Sequence, residues 1–320
     1  MQNIIPLSEE ELGVLTILRE GESKLGEFIH TDYKSNEVKF VLLGIPEDIG
    51  SQANCGLPGA KNTWPAFLKA FLNIQHNDFN KQKVSILGSV DTQFLYKKEE
   101  KDVIKLRELT DQLDEIIYPI IKKLIELDKI PIVIGGGHNN SYPLLKGSSL
   151  ALNHSVNCVN IDPHADLRSL EGRHSGNGFS YAFNEGFLHY YHVLGLHENY
   201  NSQFILNEFS EHKNLSFTSY ESFLKNKYTL SELAARALQK TTAPLALEVD
   251  MDSIAYMPSS ALSPSGFTLD QVRHLLYLLT RQNHPVYLHI SEAAPTNTTE
   301  EKIIGKAISY IVTDFIKAYE

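Results

Sequence analysis

The sequence predicts an α/β fold in which a parallel sheet is covered by helices on both faces. Two observations carry this reading. Short, near-continuous apolar runs alternate with stretches of helical periodicity, the pattern of strands buried on both sides. In addition, three bursts of metal-preferring side chains fall at the carboxyl ends of such runs, where open α/β sheets hold their ligands.

Taken in order, residues 1 to 37 read as a polar, helix-containing N-terminal extension, and residues 38 to 320 as a single main domain. A chain of 320 residues with 42% hydrophobic content can fill one large core or two smaller ones. No repeat, low-complexity tract or Pro/Gly/Ser linker divides it, which favours one. The strands are expected at Val38 to Gly44, Val84 to Leu87, Ile130 to Ile134, Val156 to Ile161, Tyr190 to Leu196, Leu215 to Thr218, Leu245 to Val249 and Val286 to Ile290. Helices are expected between them, at Thr63 to Leu72, Val103 to Leu127, Ser141 to Lys146, Ser202 to Phe209, Leu230 to Leu238, Leu269 to Leu279 and Glu300 to Tyr319.

Composition narrows the partners. A net charge of -10 and a pI near 5.7 leave no basic stripe to neutralise phosphates, which argues against nucleic acid. No apolar run reaches the roughly 18 residues of a membrane span, and Met1 to Pro6 shows no charged leader, so neither a span nor a signal peptide is expected. The two cysteines, Cys55 in a loop and Cys158 in a strand, make no disulfide framework, and a reducing cytoplasm is the expected setting.

The three bursts are His138 after Gly135-Gly136-Gly137, Asp162-Pro163-His164-Ala165-Asp166, and Asp250-Met251-Asp252. Successive strand residues point to opposite faces, so Asp162, His164 and Asp166 share one side, and Asp250 lies beside Asp252. Four carboxylates and two imidazoles carry too much negative charge to be buried without cations. They therefore predict bound metal, two ions. Hard oxygen with some nitrogen and no thiolate suits Mn²⁺; Mg²⁺ is less well matched to the histidines, and Zn²⁺ and Fe²⁺ stay open. Two ions about 3.5 Å apart share and acidify a water, so the implied chemistry is hydrolysis.

These bursts, in this order and near these separations, resemble those of the arginase/agmatinase/formimidoylglutamase (ureohydrolase) family. Gly44-Ile45-Pro46-Glu47-Asp48, Leu57-Pro58-Gly59-Ala60 and Glu292-Ala293-Ala294-Pro295 extend the likeness across roughly residues 38 to 320. The resemblance implies a three-layer α/β/α fold with an eight-stranded parallel sheet, matching the eight strands counted above. It implies that His138, Asp162, Asp166 and Asp250 hold one Mn²⁺, and Asp162, His164, Asp250 and Asp252 a second. Asp166 would also aim the bridging hydroxide, and Glu292 would pair with the cationic amidine or guanidine of a small-molecule substrate. A homo-oligomer, trimer or hexamer, is implied as well.

Within the family, three features point toward N-formimino-L-glutamate: Arg168 where arginases carry an asparagine, the triple glycine before His138, and the Gly-Ile-Pro-Glu-Asp-Ile-Gly stretch. An arginine offers a fork of donors to a substrate carboxylate. The loop His174-Ser175-Gly176-Asn177-Gly178-Phe179 places Asn177 among the expected substrate contacts. The proton-shuttling histidine of arginases falls on Phe179, which transfers no protons, so His174 is the expected replacement. Gly195-Leu196-His197-Glu198-Asn199 lacks the Arg-Asp pair of arginases, and Asn139-Asn140 after His138 is unusual. The leading expectation is thus a dimetal hydrolase of formimidoylglutamate. Its alternatives are an arginase or agmatine-type ureohydrolase, the related single-zinc deacetylase architecture, which would leave carboxylates unpaired, and a degenerate relative that only binds.

Overall fold

A computed structural model describes every residue except Thr31, Gln82, Lys97 to Glu99, Thr242, Ala243, Gln282 and Glu320; Glu320, the end of the expected domain, thus lies outside. The described residues form nine strands: β1 (Ile4–Ile5), β2 (Phe40–Gly44), β3 (Val84–Val90), β4 (Ile130–Ile134), β5 (Val156–Ile161), β6 (Leu188–Leu196), β7 (Leu215–Ser219), β8 (Leu245–Asp250) and β9 (Tyr287–Ser291). They make one sheet in the order β1-β3-β2-β4-β9-β8-β5-β6-β7. All neighbours are parallel except β1, which pairs antiparallel with β3. The eight parallel strands are those expected, and the ninth is supplied by the N-terminal extension. Its docking relies on Gly88, whose φ of 113° and missing Cβ let the backbone of Ile5 and Pro6 come close.

Alternation along the strands sorts the core into two layers. In β2, Leu42 joins the cluster beneath helices Thr63–Phe71, Leu230–Leu238, Leu269–Thr280 and Thr298–Tyr319. Val41 and Leu43 point the other way, into the cluster beneath Ile49–Ala53, Val103–Glu126, Ser141–Leu152 and Gly178–Asn184. Strands buried on both faces must be apolar throughout, which explains why their sequences run nearly without polar interruption. Two of the polar residues that do interrupt, Glu248 and His289, lie beside the functional site.

The differences from the sequence reading are local. Helix Ser141–Leu152 runs past Lys146, Glu9–Leu15 is the helix expected within the N-terminal extension, and the short helices Ile49–Ala53, Gly178–Asn184 and Tyr220–Leu224 were not expected. One or two turns are too few for a periodic signal, and such helices form because tertiary packing stabilises them. The four central strands, β4, β9, β8 and β5, are adjacent in space although distant in sequence. Their carboxyl ends bring His138, Glu292, Asp250 and Asp162 to one crevice.

Candidate metal centre

After β4 the chain must turn sharply to present His138. Gly135 and Gly136 adopt φ of 88° and 78°, and a side chain on Gly136 would strike Asn140 and Glu47. The turn is pinned from outside by Glu47, a fully buried carboxylate. It accepts from the N–H groups of Gly137 (2.8 Å), Ile49 (2.7 Å) and Gly50 (3.1 Å), and from the side-chain amides of Asn140 (2.7 Å) and Asn139 (3.3 Å). The unusual Asn139-Asn140 pair therefore holds the loop rather than facing a substrate.

His138 ends with its ring fully buried, edge-on to Phe179 at 5.1 Å. Its Nδ1 lies 3.1 Å from Asp162 Oδ2, 2.9 Å from Asp166 Oδ2 and 3.0 Å from Asp250 Oδ2, yet makes a properly angled hydrogen bond with none of them. Three carboxylate oxygens and one imidazole nitrogen converging on a point is a hard-cation donor set, and the four atoms all lie within 4.8 Å of one another. Beside it, His164 Nδ1 stands 3.6 Å from Asp162 Oδ1 and 3.9 Å from Asp252 Oδ2. The six side chains of the three bursts thus form one cup, with Asp162 and Asp250 between its two halves.

Three of the four carboxylates are aimed by local hydrogen bonds. Asp162 Oδ1 accepts from the His164 N–H at 2.7 Å, and Asp162 Oδ2 from Asn160 Nδ2 at 2.8 Å. Asp250 Oδ1 accepts from the Asp252 N–H at 2.7 Å, and Asp252 Oδ1 from the Ala261 N–H at 3.1 Å. Asp166 (φ 49°) and Glu292 (φ 61°) both sit in the left-handed region, which is uncommon for such residues and is concentrated at functional sites. Glu292 is locked there: its Oε1 accepts from the His138 N–H at 2.6 Å and its Oε2 from Ser51 Oγ at 2.8 Å.

The electrostatics report a shortage of positive charge. Burial, reinforced by the charges of Asp252 and Asp162, pushes Asp250 well above the carboxylate range. Burial and Asp162 push Asp166 up to about 6. Burial opposes a charge on His164, but Asp162, Asp252 and Asp166 overcome it and lift the ring to about 10. The cup gathers protons when it has nothing else to neutralise it, and divalent cations fill the same need.

A deeper layer was missed by the sequence reading. Glu248, on β8 and fully buried, lies with Oε2 3.5 Å from His138 Nε2 and 2.6 Å from His289 Nδ1. Burial would raise its pKa, but the neighbouring imidazoles of His289 and His138 hold it down to about 2. The signal was available: Glu248, Asp250 and Asp252 continue one alternation. Arg173 was also missed. It is buried against Asp114 (Nε to Oδ2, 2.8 Å), stacked on Tyr142 and Tyr181, and donates to the Asn139 carbonyl and to Asn177 Oδ1, both at 2.8 Å.

The loop from Leu167 to Phe179 departs from expectation. Asn177 is fully buried and uses its whole amide inside the loop: Oδ1 accepts from Arg173 Nη1 and the His174 N–H, and Nδ2 donates to the carbonyls of Ser169 and Gly172. No group is left for a substrate, so the expected contact at Asn177 is corrected to loop bracing. His174, expected to move protons, has Nδ1 accepting from the Gly176 N–H (3.1 Å) and Nε2 beside Glu171 Oε1 (3.2 Å). Burial, with Arg107 and Arg168 nearby, pulls its pKa to about 4. Both ring nitrogens are engaged in its own loop, so the shuttle role lacks a free nitrogen. Arg168 is half exposed and spans Asn54 Oδ1 (2.9 Å) and Glu171 Oε1 (3.1 Å). Phe179 is fully buried, stacked on Tyr191 at 4.3 Å. A cavity of about 360 Å³ opens beside His164, lined by Leu57, His197, Tyr200, Leu262 and Pro264 among others.

The fold has counterparts among known proteins. A family model described as Arginase family matches residues 38–317. A formimidoylglutamase of Streptococcus pyogenes is 24% identical over 309 residues, covering 93% of this chain and 88% of its own. Among solved structures, a Trypanosoma cruzi formiminoglutamase with two Mn²⁺ superposes with a TM-score of 0.73 at 20% identity, covering 92% of this chain and 98% of the other. Formimidoylglutamase of Bacillus subtilis gives 0.76 at 19% identity, over 94% and 93%. Proclavaminate amidino hydrolase of Streptomyces clavuligerus gives 0.69 at 17%, over 91% and 94%. No helix of the described residues is long and apolar enough to cross a membrane.

Proposed function

Since the chain belongs to the arginase family, we propose that its cup is a dimanganese centre that hydrolyses a linear amidine, with formimidoylglutamate cleaved to glutamate and formamide. The observation that carries this is the convergence of three carboxylate oxygens, 2.9–3.1 Å away, on the unpaired Nδ1 of His138. His138, Asp162, Asp166 and Asp250 would hold one ion and Asp162, His164, Asp250 and Asp252 the other. When bound, such a pair supplies a hydroxide nucleophile at neutral pH.

The protein's own groups do the rest. Asp166, partly exposed like His164, accepts a hydrogen bond from the nucleophile and points it at the formimino carbon. Glu292, with oxygen lone pairs left after Ser51 and the His138 N–H, pairs with the amidinium and keeps its carbon electrophilic. Attack makes that carbon tetrahedral; the bond to the glutamate nitrogen breaks, the amine takes up a proton, and formamide is released. Arg168 receives a substrate carboxylate by exchanging Glu171 for it. Assembly as a homo-oligomer, trimer or hexamer, and a cytoplasmic setting complete the reading on the strength of the resemblance and of two unpaired cysteines.

One observation favours a second reading. Arg168 is already committed to Glu171 and Asn54, which suits a substrate without a carboxylate, such as agmatine. Product analysis separates the two. Mn²⁺-loaded protein is offered formimidoylglutamate, arginine, agmatine and guanidino acids, with formamide and urea assayed separately. Formamide from formimidoylglutamate alone is the expected result; urea from agmatine would favour the second reading, and silence on the whole panel would refute both.

A further inference from the structure

The polar layer beneath the cup has a role of its own. Glu248 on β8 and His289 on β9 are direct cross-strand partners, one step inside the pair Asp250 and Ser291. Their side chains therefore share a face, with the cup immediately above. The Tyr287 hydroxyl donates to Glu248 Oε1 at 2.6 Å, and His289 Nδ1 meets Oε2 at 2.6 Å. On its far side, His289 Nε2 lies 3.3 Å from the Gly135 carbonyl, where the loop that carries His138 begins. Glu248 is thus fixed on both oxygens and tied to the base of that loop.

We propose that Glu248 is a positioning residue for the metal centre, orienting the His138 ring and selecting which of its nitrogens faces the carboxylates as a bare lone pair. An ionised carboxylate only accepts hydrogen bonds. Its Oε2 stands 3.5 Å from His138 Nε2, just short of a properly angled hydrogen bond, and a proton kept on that nitrogen by the carboxylate leaves the Nδ1 lone pair directed at the oxygens of Asp162, Asp166 and Asp250. Without Glu248 those three oxygens compete for the ring proton, which would sit on Nδ1 and occupy the ligand position. Histidines that bind metals through one nitrogen are commonly held through the other by a carboxylate, and loss of that partner typically costs about 10- to 100-fold in metal affinity. Tyr287 and His289 act one step further out, by holding Glu248. This inference rests on the assignment of His138 as a ligand, and its test keeps the two apart.

The test uses metal-stripped full-length protein titrated with Mn²⁺ by calorimetry, and with Co²⁺ followed by visible absorption, in wild type, E248Q and Y287F. Wild type is expected to take up two ions. In E248Q the site of His138 should weaken by about 10- to 100-fold, with a changed Co²⁺ spectrum, while the other ion binds as before. Y287F, which keeps the ring and loses one hydrogen bond to Glu248, should weaken the same site by less than about tenfold, and it stands in should E248Q not fold. Unchanged affinity and spectrum in folded E248Q, or in Y287F where that is the variant available, would overturn the role of Glu248. No binding by wild type would instead overturn the ligand assignment.

Discussion

The two walls of the cup are built on different principles. The inner wall comes from the ends of four adjacent central strands: register on β8 places Glu248 and Asp250, and the turns that leave β4, β5 and β9 place His138, Asp162 and Glu292. The outer wall, the loop from Leu167 to Phe179, spends its polar groups on itself: Asn177 makes four hydrogen bonds within the loop and to Arg173, and Glu171 gathers Arg107, Arg168 and His174. One wall keeps unsatisfied groups in the interior, and the other satisfies nearly every group it has. Buried groups without partners cost free energy, so the inner wall carries the chemistry and the outer wall carries stability.

Removing one residue from each wall should separate these roles. Asp250→Ala takes away a carboxylate shared by both halves of the cup and should abolish two-ion Mn²⁺ uptake and lower kcat/KM by at least about a thousandfold, some 4 kcal/mol. Urea unfolding of the metal-free variant should show no loss of stability, because Asp250 is crowded by Asp252 and Asp162. Full turnover in Asp250→Ala, or a strongly destabilised apo protein, would break the contrast. Arg173→Met is the converse experiment on the outer wall. It strands the buried Asp114 carboxylate and should destabilise the fold by about 3–5 kcal/mol in urea, while the folded fraction retains two-ion binding.

Smaller effects sharpen the outer wall. Arg168→Ala removes a half-exposed ion pair, which contributes about 0–1 kcal/mol to stability. It should raise KM for a carboxylate-bearing substrate roughly tenfold, about 1.4 kcal/mol, and leave that of a small neutral amidine unmoved. Equal shifts for both would remove Arg168 from substrate recognition. The smallest effect concerns His174, held neutral with a pKa of about 4 against 6.5 for an ordinary histidine. With the folded pKa depressed, the unfolded chain binds the extra proton first, so this residue's contribution is complete above pH 6.5 and is lost as pH falls toward 4. His174→Asn keeps an acceptor for the Gly176 N–H and should flatten the pH dependence of stability in that window. An unchanged slope would mean that the ring is charged in the fold.

The same contrast explains what could be read from the chain. The bursts at residues 138, 162–166 and 250–252 lie at or just past the ends of β4, β5 and β8, and the parallel sheet explains why they meet. The period of two along a strand stops at Ile161 and Asp250, however, and beyond them the facing is set by turns, with His138 and Asp252 in single 3₁₀ turns and Asp166 at a φ of 49°. The eight parallel strands were legible because burial on both faces writes itself as an apolar run. β1 was not, because two residues carry no pattern, and its pairing depends on Gly88 in a distant strand. Glu248 lay on the visible alternation but one residue pair too deep to look like a ligand. In the loop, by contrast, Asn177 and His174 have no register to constrain them. Their partners, Arg173, Glu171 and the carbonyls of Ser169 and Gly172, follow from tertiary packing that local sequence does not encode.

The central claim is that six side chains from three strand ends hold two ions that share Asp162 and Asp250. Anomalous diffraction at the manganese edge from Mn²⁺-soaked crystals measures this without assuming any substrate. The account predicts two peaks about 3.5–4 Å apart, one against His138 and Asp166, the other against His164 and Asp252, with Asp162 and Asp250 touching both. A single peak, or two that do not share these carboxylates, would contradict it.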